Sequence, residues 1–303
     1  MQSPAPPERT PFVAPRPPAH GRTAVLLLTC PDAPGIVAAV SDFLFGHGAN
    51  IVSVDQHVDR EDGQFFQRIE FELAGFARAD ADILDALSPV AARFGMTCEI
   101  HFSDTVQRVA ILASTQPHCL LDLLARWRTG ELAADLALVA SNHPDHAAAC
   151  EFFGVPFHHV PIVAGDKETQ ERRMASLLDA HQVDLVVLAR YMQVLSPWFI
   201  DRMPHRVINI HHSLLPSFVG ARPYHQAYSR GVKIVGATAH YATSQLDQGP
   251  IIAQEVSAVT HRDSVEDFVR RGRDVEAVTL ARAVRLHLAA KVLVHQNRTV
   301  VFD

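Results

Sequence analysis

Between residues 107 and 210, short apolar runs recur with stretches of helical periodicity between them. No other feature of the sequence constrains the fold as strongly. Residues 107–114 (QRVAILAS), 136–141 (LALVAS), 157–160, 183–189 (VDLVVLA) and 206–210 (RVINI) read as buried strands, and 117–127, 145–153 and 167–181 as helices. Strands separated by helices at this spacing pair in parallel through crossovers, which predicts a doubly wound, Rossmann-like α/β sheet. Residues 233–241 and 250–257 then read as an antiparallel pair and 264–288 as one long helix. Two short strands, 292–295 and 299–302, flank an Asn297-Arg298 turn.

Upstream the pattern differs. Residues 23–30 (TAVLLLTC) read as a buried strand and 31–35 as a turn. Residues 36–47 read as a helix with Ile36, Val37, Val40, Phe43 and Leu44 at helical spacing, ended by Gly46 and Gly48. Residues 50–59 and 64–73 alternate as strands around an Arg60-Glu61-Asp62-Gly63 turn. Residues 80–94 form an amphipathic helix and 96–102 a last strand. The order β-α-β-β-α-β is the ferredoxin-like arrangement. Residues 1–20 hold seven prolines, a density that breaks helices and sheet ladders and predicts a disordered or extended tail.

A length of 303 residues accommodates about two domains. A formal net charge of −6 argues against a phosphate-backbone binder, and so against nucleic acid as partner. The longest apolar run, 183–189, is far short of a membrane span, and the proline-rich start lacks the apolar core of a signal peptide. Cys30, Cys98, Cys119 and Cys150 are scattered without a CxxC and read as buried thiols of a reducing cytoplasm. Among the 18 histidines, His143-x-x-His146 and His158-His159 invite a metal reading. Pro144 interrupts a helix through the first pair and no carboxylate completes a ligand set, so no metal is expected.

Chemistry concentrates after the strand 206–210, in Asn209-Ile210-His211-His212-Ser213-Leu214-Leu215-Pro216. Ligands on such sheets bind beyond the carboxyl ends of strands. Asn209 and His211 are two apart, so both side chains can face one cleft, where an amide donor beside an imidazole suits an oxyanion. Asp247 lies on the loop Leu246-Asp247-Gln248-Gly249-Pro250, placed to aim a carboxylate at that cleft. Each residue also has a structural reading, as a strand-end hydrogen-bonder or a turn aspartate.

The segment NIHHSLLPSFVGARPYHQAYSRGVKIVGATAHYATSQLDQGPIIAQE resembles the formyltransferase fold of folate-dependent formyl-transfer enzymes. The catalytic three of that family, the Asn and His of N-I-H-x-S-x-L-P and the Asp of D-x-G-x-I, correspond to Asn209, His211 and Asp247. CPDAPGIVAAVSDFLFGHGANIVSVDQHVD is similar to an ACT domain, a small ferredoxin-like regulatory module. ACT followed by the formyltransferase fold is the layout of the formyltetrahydrofolate deformylase family. SNHPDHAAACEFFGVPFHHVPI, DLVVLARYMQVLSP, HRDSVEDFVRRGRD and VHQNRTVVF resemble that family too.

The resemblance implies a tail over 1–22, an ACT regulatory domain over 23–104 and a catalytic domain with a mostly parallel sheet over 105–303. It implies a folate pocket at Leu188, Met192 and Leu195 with Arg190 and Tyr191 nearby, and auxiliary roles for His212 and His240. An effector site follows for the ACT turn at Asp32, Gly35 and Ile36 facing Asn50 and Ile51, with methionine as activator and glycine as inhibitor. ACT pairing implies a homo-oligomer.

The catalytic three do not separate hydrolysis from transfer. Glycinamide ribonucleotide transformylase, of the same fold, cradles a phosphate in a Gly-rich loop after its first strand. The matching stretch 111–121 (ILASTQPHCLL) has no glycine, which disfavours an anion-binding loop. Methionyl-tRNA formyltransferase carries a further RNA-binding domain, for which this acidic chain shows no counterpart. Water is therefore the expected acceptor and 10-formyltetrahydrofolate the substrate, without cofactor. Asp247 would hold and deprotonate the water, with Asn209 and a protonated His211 stabilising the oxyanion. A formyltransferase with another amine acceptor and a non-catalytic folate sensor are the alternatives.

Overall fold

The computed structural model describes residues 21–163, 166–217 and 223–303. The expected proline-rich tail falls on residues 1–20, outside the described residues. The chain divides into two compact units. One comprises residues 21–106 together with 289–295 and 299–303, and the other is centred on Gln107–Leu288.

The first unit contains β1 (Thr23–Pro31), α1 (Ile36–Gly46), β2 (Ile51–Asp59), β3 (Gln64–Glu72), α2 (Ile83–Phe94) and β4 (Thr97–Phe102). Its strands form an antiparallel sheet in the order β2-β3-β1-β4, as the β-α-β-β-α-β pattern requires. Residues 80–82 form a 3-10 turn, so α2 starts three residues later than periodicity suggests. Pro89 inside α2 cannot donate to the Asp85 carbonyl four residues back; the Ser88 hydroxyl donates to it instead, at 2.7 Å.

The second unit contains β5 (Arg108–Ala113), α3 (His118–Arg128), β6 (Asp135–Ser141), α4 (Ala147–Phe153), β7 (Phe157–His159), α5 (Lys167–Ala180), β8 (Leu185–Ala189) and α6 (Pro197–Ile200). It continues with β9 (Val207–His211), α7 (Pro223–Arg230), β10 (Ile234–Tyr241), β11 (Ile251–Ala258) and α8 (Val265–Leu288). The seven strands lie in the order β11-β10-β9-β8-β5-β6-β7. β5 to β9 pair in parallel, whereas β10 is antiparallel to both β9 and β11. Alternation along β5 supplies two cores. Ala110 and Leu112 face Met174, Ala175 and Leu178 of α5, and Val109 and Ile111 gather with Leu123 of α3 and Val284 of α8 on the other side. Strand order reverses between β8 and β5, and a crevice opens at such a switch point beyond the strand ends.

Two further strands, β12 (Val292–His295) and β13 (Arg298–Val301), form a hairpin. Chain order groups residues 289–303 with the second block; the structure packs them on the first sheet. The reason is visible in β1. Leu26 and Leu28 enter the core under the helices with Phe65, Ile69, Val40 and Leu44. Leu27 points to the opposite face with Phe66, where Ala290, Leu293 and Phe302 cover it. A strand that is apolar on both faces needs cover on both. Arg68, buried at this seam, donates from Nε to the Ala290 carbonyl at 3.1 Å and from Nη1 to Ser53 Oγ at 3.3 Å. Among the described residues no helix is long and apolar enough to cross a membrane.

Candidate active site

A cleft of about 650 Å3 opens beyond the ends of β5, β8 and β9 in the second unit. Asn209 and His211 line it together, because alternate residues of β9 share a face. The antiparallel register sets His240 of β10 opposite Asn209 and Thr238 opposite His211. A bulge at Ala239/His240 in the β10–β11 pairing bends the strand where the cleft needs it.

Asp247 reaches the same point from the loop between β10 and β11. Its backbone is left-handed, with φ of 55°. Two residues on, Gly249 passes so close to Tyr241 that a Cβ there would lie 1.7 Å from the Tyr241 carbonyl oxygen. Glycine is therefore required for the loop to fold back and present Asp247. The same carbonyl accepts a hydrogen bond from His240 Nδ1 at 2.9 Å.

The polar contacts have a definite order. A carbonyl only accepts, so His240 Nδ1 carries its hydrogen. His240 Nε2 lies 3.2 Å from Asn209 Nδ2. Asp247 Oδ2 lies 3.2 Å from His211 Nδ1, and Asp247 Oδ1 lies 3.8 Å from His240 Nε2. The His211 hydrogen bond, followed by the nearby His240 imidazole, outweighs burial and holds the Asp247 carboxyl far below the ordinary carboxylate range. His211 Nε2 is buried and has no partner among the described residues. An ionised carboxylate, an imidazole with a fixed ring and an oriented amide thus converge on one point of the cleft. That combination can orient and deprotonate water and receive a developing oxyanion.

Thr238 anchors the loop that follows β9. Fully buried, it donates to the Ser213 carbonyl at 2.8 Å and accepts from Leu215 N–H at 3.0 Å and Gln254 Nε2 at 2.9 Å. His212 sits between the rings of His211 and Tyr224, at centroid distances of 5.2 and 6.2 Å. Its imidazole is pushed down to about 4, first by burial and then by the nearby Arg190 charge.

Leu188, Arg190, Tyr191, Met192 and Leu195 all line the cleft. They do not act alike. Leu188, Met192 and Leu195 form an apolar wall with Val194 and Ile200, and Met192 and Val194 are exposed. The Tyr191 hydroxyl points away, accepting from Gln170 Nε2 at 2.8 Å in the core. Arg190 turns to the opposite, polar end, where its Nε lies 3.3 Å from Glu276 Oε2.

Sequence reasoning missed that polar end. Glu276 of α8, 1% exposed, accepts from His118 Nε2 at 2.8 Å and from the Tyr224 hydroxyl at 2.5 Å. Burial pulls its carboxyl up, but those two hydrogen bonds and the Arg190 charge outweigh it and hold the group ionised. The one signal available was a glutamate at a position of α8 whose neighbours in helical register, Thr279 and Leu280, are apolar or small and buried. His118, Cys119 and Glu276 form the one group of three metal-capable side chains close together among the described residues.

In the first unit the residues expected to form an effector site sit around the start of α1 and the start of β2. Gly35 caps α1 with φ of 94°, Ile36 is buried in the core, and Ile51 packs against that core. The Asp32 N–H donates to the Gly63 carbonyl at 2.8 Å, and Asn50 Nδ2 donates to Glu72 at 3.0 Å.

Comparison with known proteins places these geometries in a family. Residues 107–284 match the formyl transferase model and residues 24–90 the ACT domain model. The formyltetrahydrofolate deformylase of Synechocystis sp. is 52% identical, over 92% of this chain and 98% of that protein. The crystal structure of a formyltetrahydrofolate deformylase from Pseudomonas syringae pv. tomato superposes with a TM-score of 0.91 at 50% identity, covering 93% of this chain and 95% of that one. A glycinamide ribonucleotide transformylase from Symbiobacterium toebii matches with a TM-score of 0.63 at 32% identity, over 67% of this chain and 97% of its own. With both domain types present and alignment over nearly the full length of its relatives, the chain belongs to the formyltetrahydrofolate deformylase family.

Proposed function

We propose that this chain hydrolyses 10-formyltetrahydrofolate to tetrahydrofolate and formate, supplying formate for purine biosynthesis and balancing the one-carbon folate pool. The observation that carries the reading is the ionised Asp247 carboxylate set between His211 and His240, with Asn209 on the same face and an apolar wall alongside. The wall of Leu188, Met192 and Leu195 suits the flat folate ring system. The formyl group then lies against Asn209 and His211.

Water held by Asp247 attacks the formyl carbon as its proton passes to the carboxylate. Asn209 Nδ2–H and a protonated His211 Nε2–H receive the oxyanion. The C–N bond to the folate nitrogen breaks, that nitrogen takes the proton, and formate departs. Electrostatic stabilisation at such a site contributes about 3–4 kcal/mol per donor.

The reading uses no metal. The Asp247 oxygens are committed to imidazoles, and at His118, Cys119 and Glu276 the Arg190 cation already neutralises the carboxylate. Burial also pushes the Cys119 thiol far up, away from the thiolate a metal needs. The ACT unit is the proposed receiver of amino-acid effectors, methionine as activator and glycine as inhibitor, and its pairing would make a homo-oligomer. The reaction belongs to the cytoplasm, where folates are interconverted.

Incubation with 10-formyltetrahydrofolate and no acceptor tests the reading. Stoichiometric formate is the expected product, and unchanged substrate after prolonged incubation overturns it.

A further inference from the structure

The cleft does not end at the reacting groups. Past His212 it continues into the polar end lined by Gln116, His118, Arg190, Tyr224 and Glu276. A formyl group held against Asn209 can be approached from that side, so what stands there decides which nucleophile arrives.

Arg190 stands there on unfavourable backbone. It follows the last residue of β8 with φ of 59°, in the left-handed region where a side chain costs about 1–2 kcal/mol and glycine almost nothing. Its side chain is only 13% exposed, and Nε and Nη1 are buried without a hydrogen bond among the described residues. The guanidinium is held by charge, 3.3 Å from Glu276 Oε2. Glu276 is in turn fixed by His118 and Tyr224. Tyr224 is pressed against α8 at Gly272, where a Cβ would lie 2.1 Å from its ring. Three elements therefore brace one cation whose charge is felt by His212, the neighbour of His211.

Resting on the hydrolase reading, we propose that Arg190, braced by Glu276, His118 and Tyr224, is a specificity-determining residue that closes this end of the cleft to amine acceptors and so makes water the formyl acceptor. Two effects act together. The side chain fills the volume an organic amine would need beside the formyl carbon. With Glu276 saturated by Arg190, His118 and Tyr224, this end also offers no free anion to the ammonium form in which most amines arrive at neutral pH. Water is small and uncharged and meets neither barrier. If an amine did enter, its nitrogen would bond to the formyl carbon as the bond to the folate nitrogen broke. The amine proton would pass to that nitrogen, leaving tetrahydrofolate and an N-formyl amine.

The experiment measures product partition. Wild type, Arg190→Gly and Arg190→Met are each given 10-formyltetrahydrofolate with methoxyamine, uncharged at neutral pH, or glycinamide, and formate and N-formyl product are quantified by mass spectrometry. Wild type should give formate alone. Arg190→Gly should raise the ratio of N-formyl product to formate at least tenfold for both amines. Arg190→Met, which keeps bulk but drops charge, should show a smaller rise, larger for glycinamide than for methoxyamine. A folded Arg190 variant that yields only formate overturns the proposal, as does wild type that already formylates either amine. So does loss of all turnover in folded variants, which would make Arg190 part of the chemistry itself. If neither variant folds, Glu276→Gln, which loosens the guanidinium, is read for the same ratio with the same criteria. Wild type that releases no formate under any condition refutes the hydrolase reading instead.

Discussion

The brace behind Arg190 can be tested through a single methyl group. Gly272→Ala places a Cβ 2.1 Å from Tyr224 Cζ and 2.2 Å from its hydroxyl oxygen, where ordinary contacts need about 3.5 Å. The ring must retreat by more than about 1 Å, and its 2.5 Å hydrogen bond to Glu276 cannot survive that movement. Overpacking of this kind costs about 1–3 kcal/mol, and losing a hydrogen bond to a buried carboxylate about 1.5–3. Alanine returns about 1 kcal/mol through helix propensity in α8. The expected net loss is about 2–4 kcal/mol. Both tryptophans, Trp127 and Trp198, belong to the second unit, so their fluorescence in a urea titration follows that unit. A cycle with Tyr224→Ala isolates the cause. Once the ring is gone, Gly272→Ala should be stabilising, by up to about 1 kcal/mol. A midpoint that is unchanged or raised in the wild-type background, or an effect that keeps its sign without Tyr224, refutes the reasoning.

Other expectations concern the reacting groups. Asp247→Asn should keep folate binding, read by calorimetry, while formate release falls about 10²–10⁴-fold; turnover within a few-fold of wild type would contradict the role given to the carboxylate. Because the folded Asp247 value lies below the ordinary one, its stabilisation is complete above the unfolded value near pH 4 and is lost only as pH falls through the lower folded value. Carbon-detected NMR should therefore show no Asp247 titration above pH 4. His212 works the other way: between its folded value of about 4 and the ordinary 6.5 only the unfolded chain binds the proton, so stability rises with pH across that window, by at most about 3 kcal/mol. His212→Asn should flatten that rise in urea midpoints taken at pH 5 and 7.5, and an unaltered pH slope would exclude the effect. Thr238→Val should lower the midpoint by about 2–4 kcal/mol, since it strips three hydrogen bonds from a fully buried hub and frees the loop after β9; wild-type stability and turnover in that variant would show that the loop does not depend on it.

How much of this was legible in the sequence depended on the range of the contact. Asn209 and His211 could be paired from the two-residue period of a strand, and Asp247 from a loop whose Gly249 has a use only when the chain folds back on itself. The contact between His240 and Asn209 spans 31 positions and follows from the β9–β10 register, which no local pattern specifies. Glu276 was hidden for a similar reason. On a long amphipathic helix a glutamate reads as solvated surface unless its partners are known, and those partners lie on α3, α7 and the turn after β8. The short helices α6 and α7 carry too few residues to show a period, although Pro197 and Pro223 mark their first turns. The unbroken Leu26-Leu27-Leu28 run did signal that the first sheet is covered on both faces, without saying by what.

The hairpin that supplies this cover has a consequence for how the protein is made. β1 leaves the ribosome well before Leu293 and Phe302, which appear only after residues 107–288 have been synthesised. Until then Leu27 and Phe66 lie on an uncovered sheet face, and the Arg68 guanidinium awaits the Ala290 carbonyl. The first unit is thus discontinuous in the chain. During translation it is a half-finished module with an exposed apolar face, the kind of surface chaperones hold.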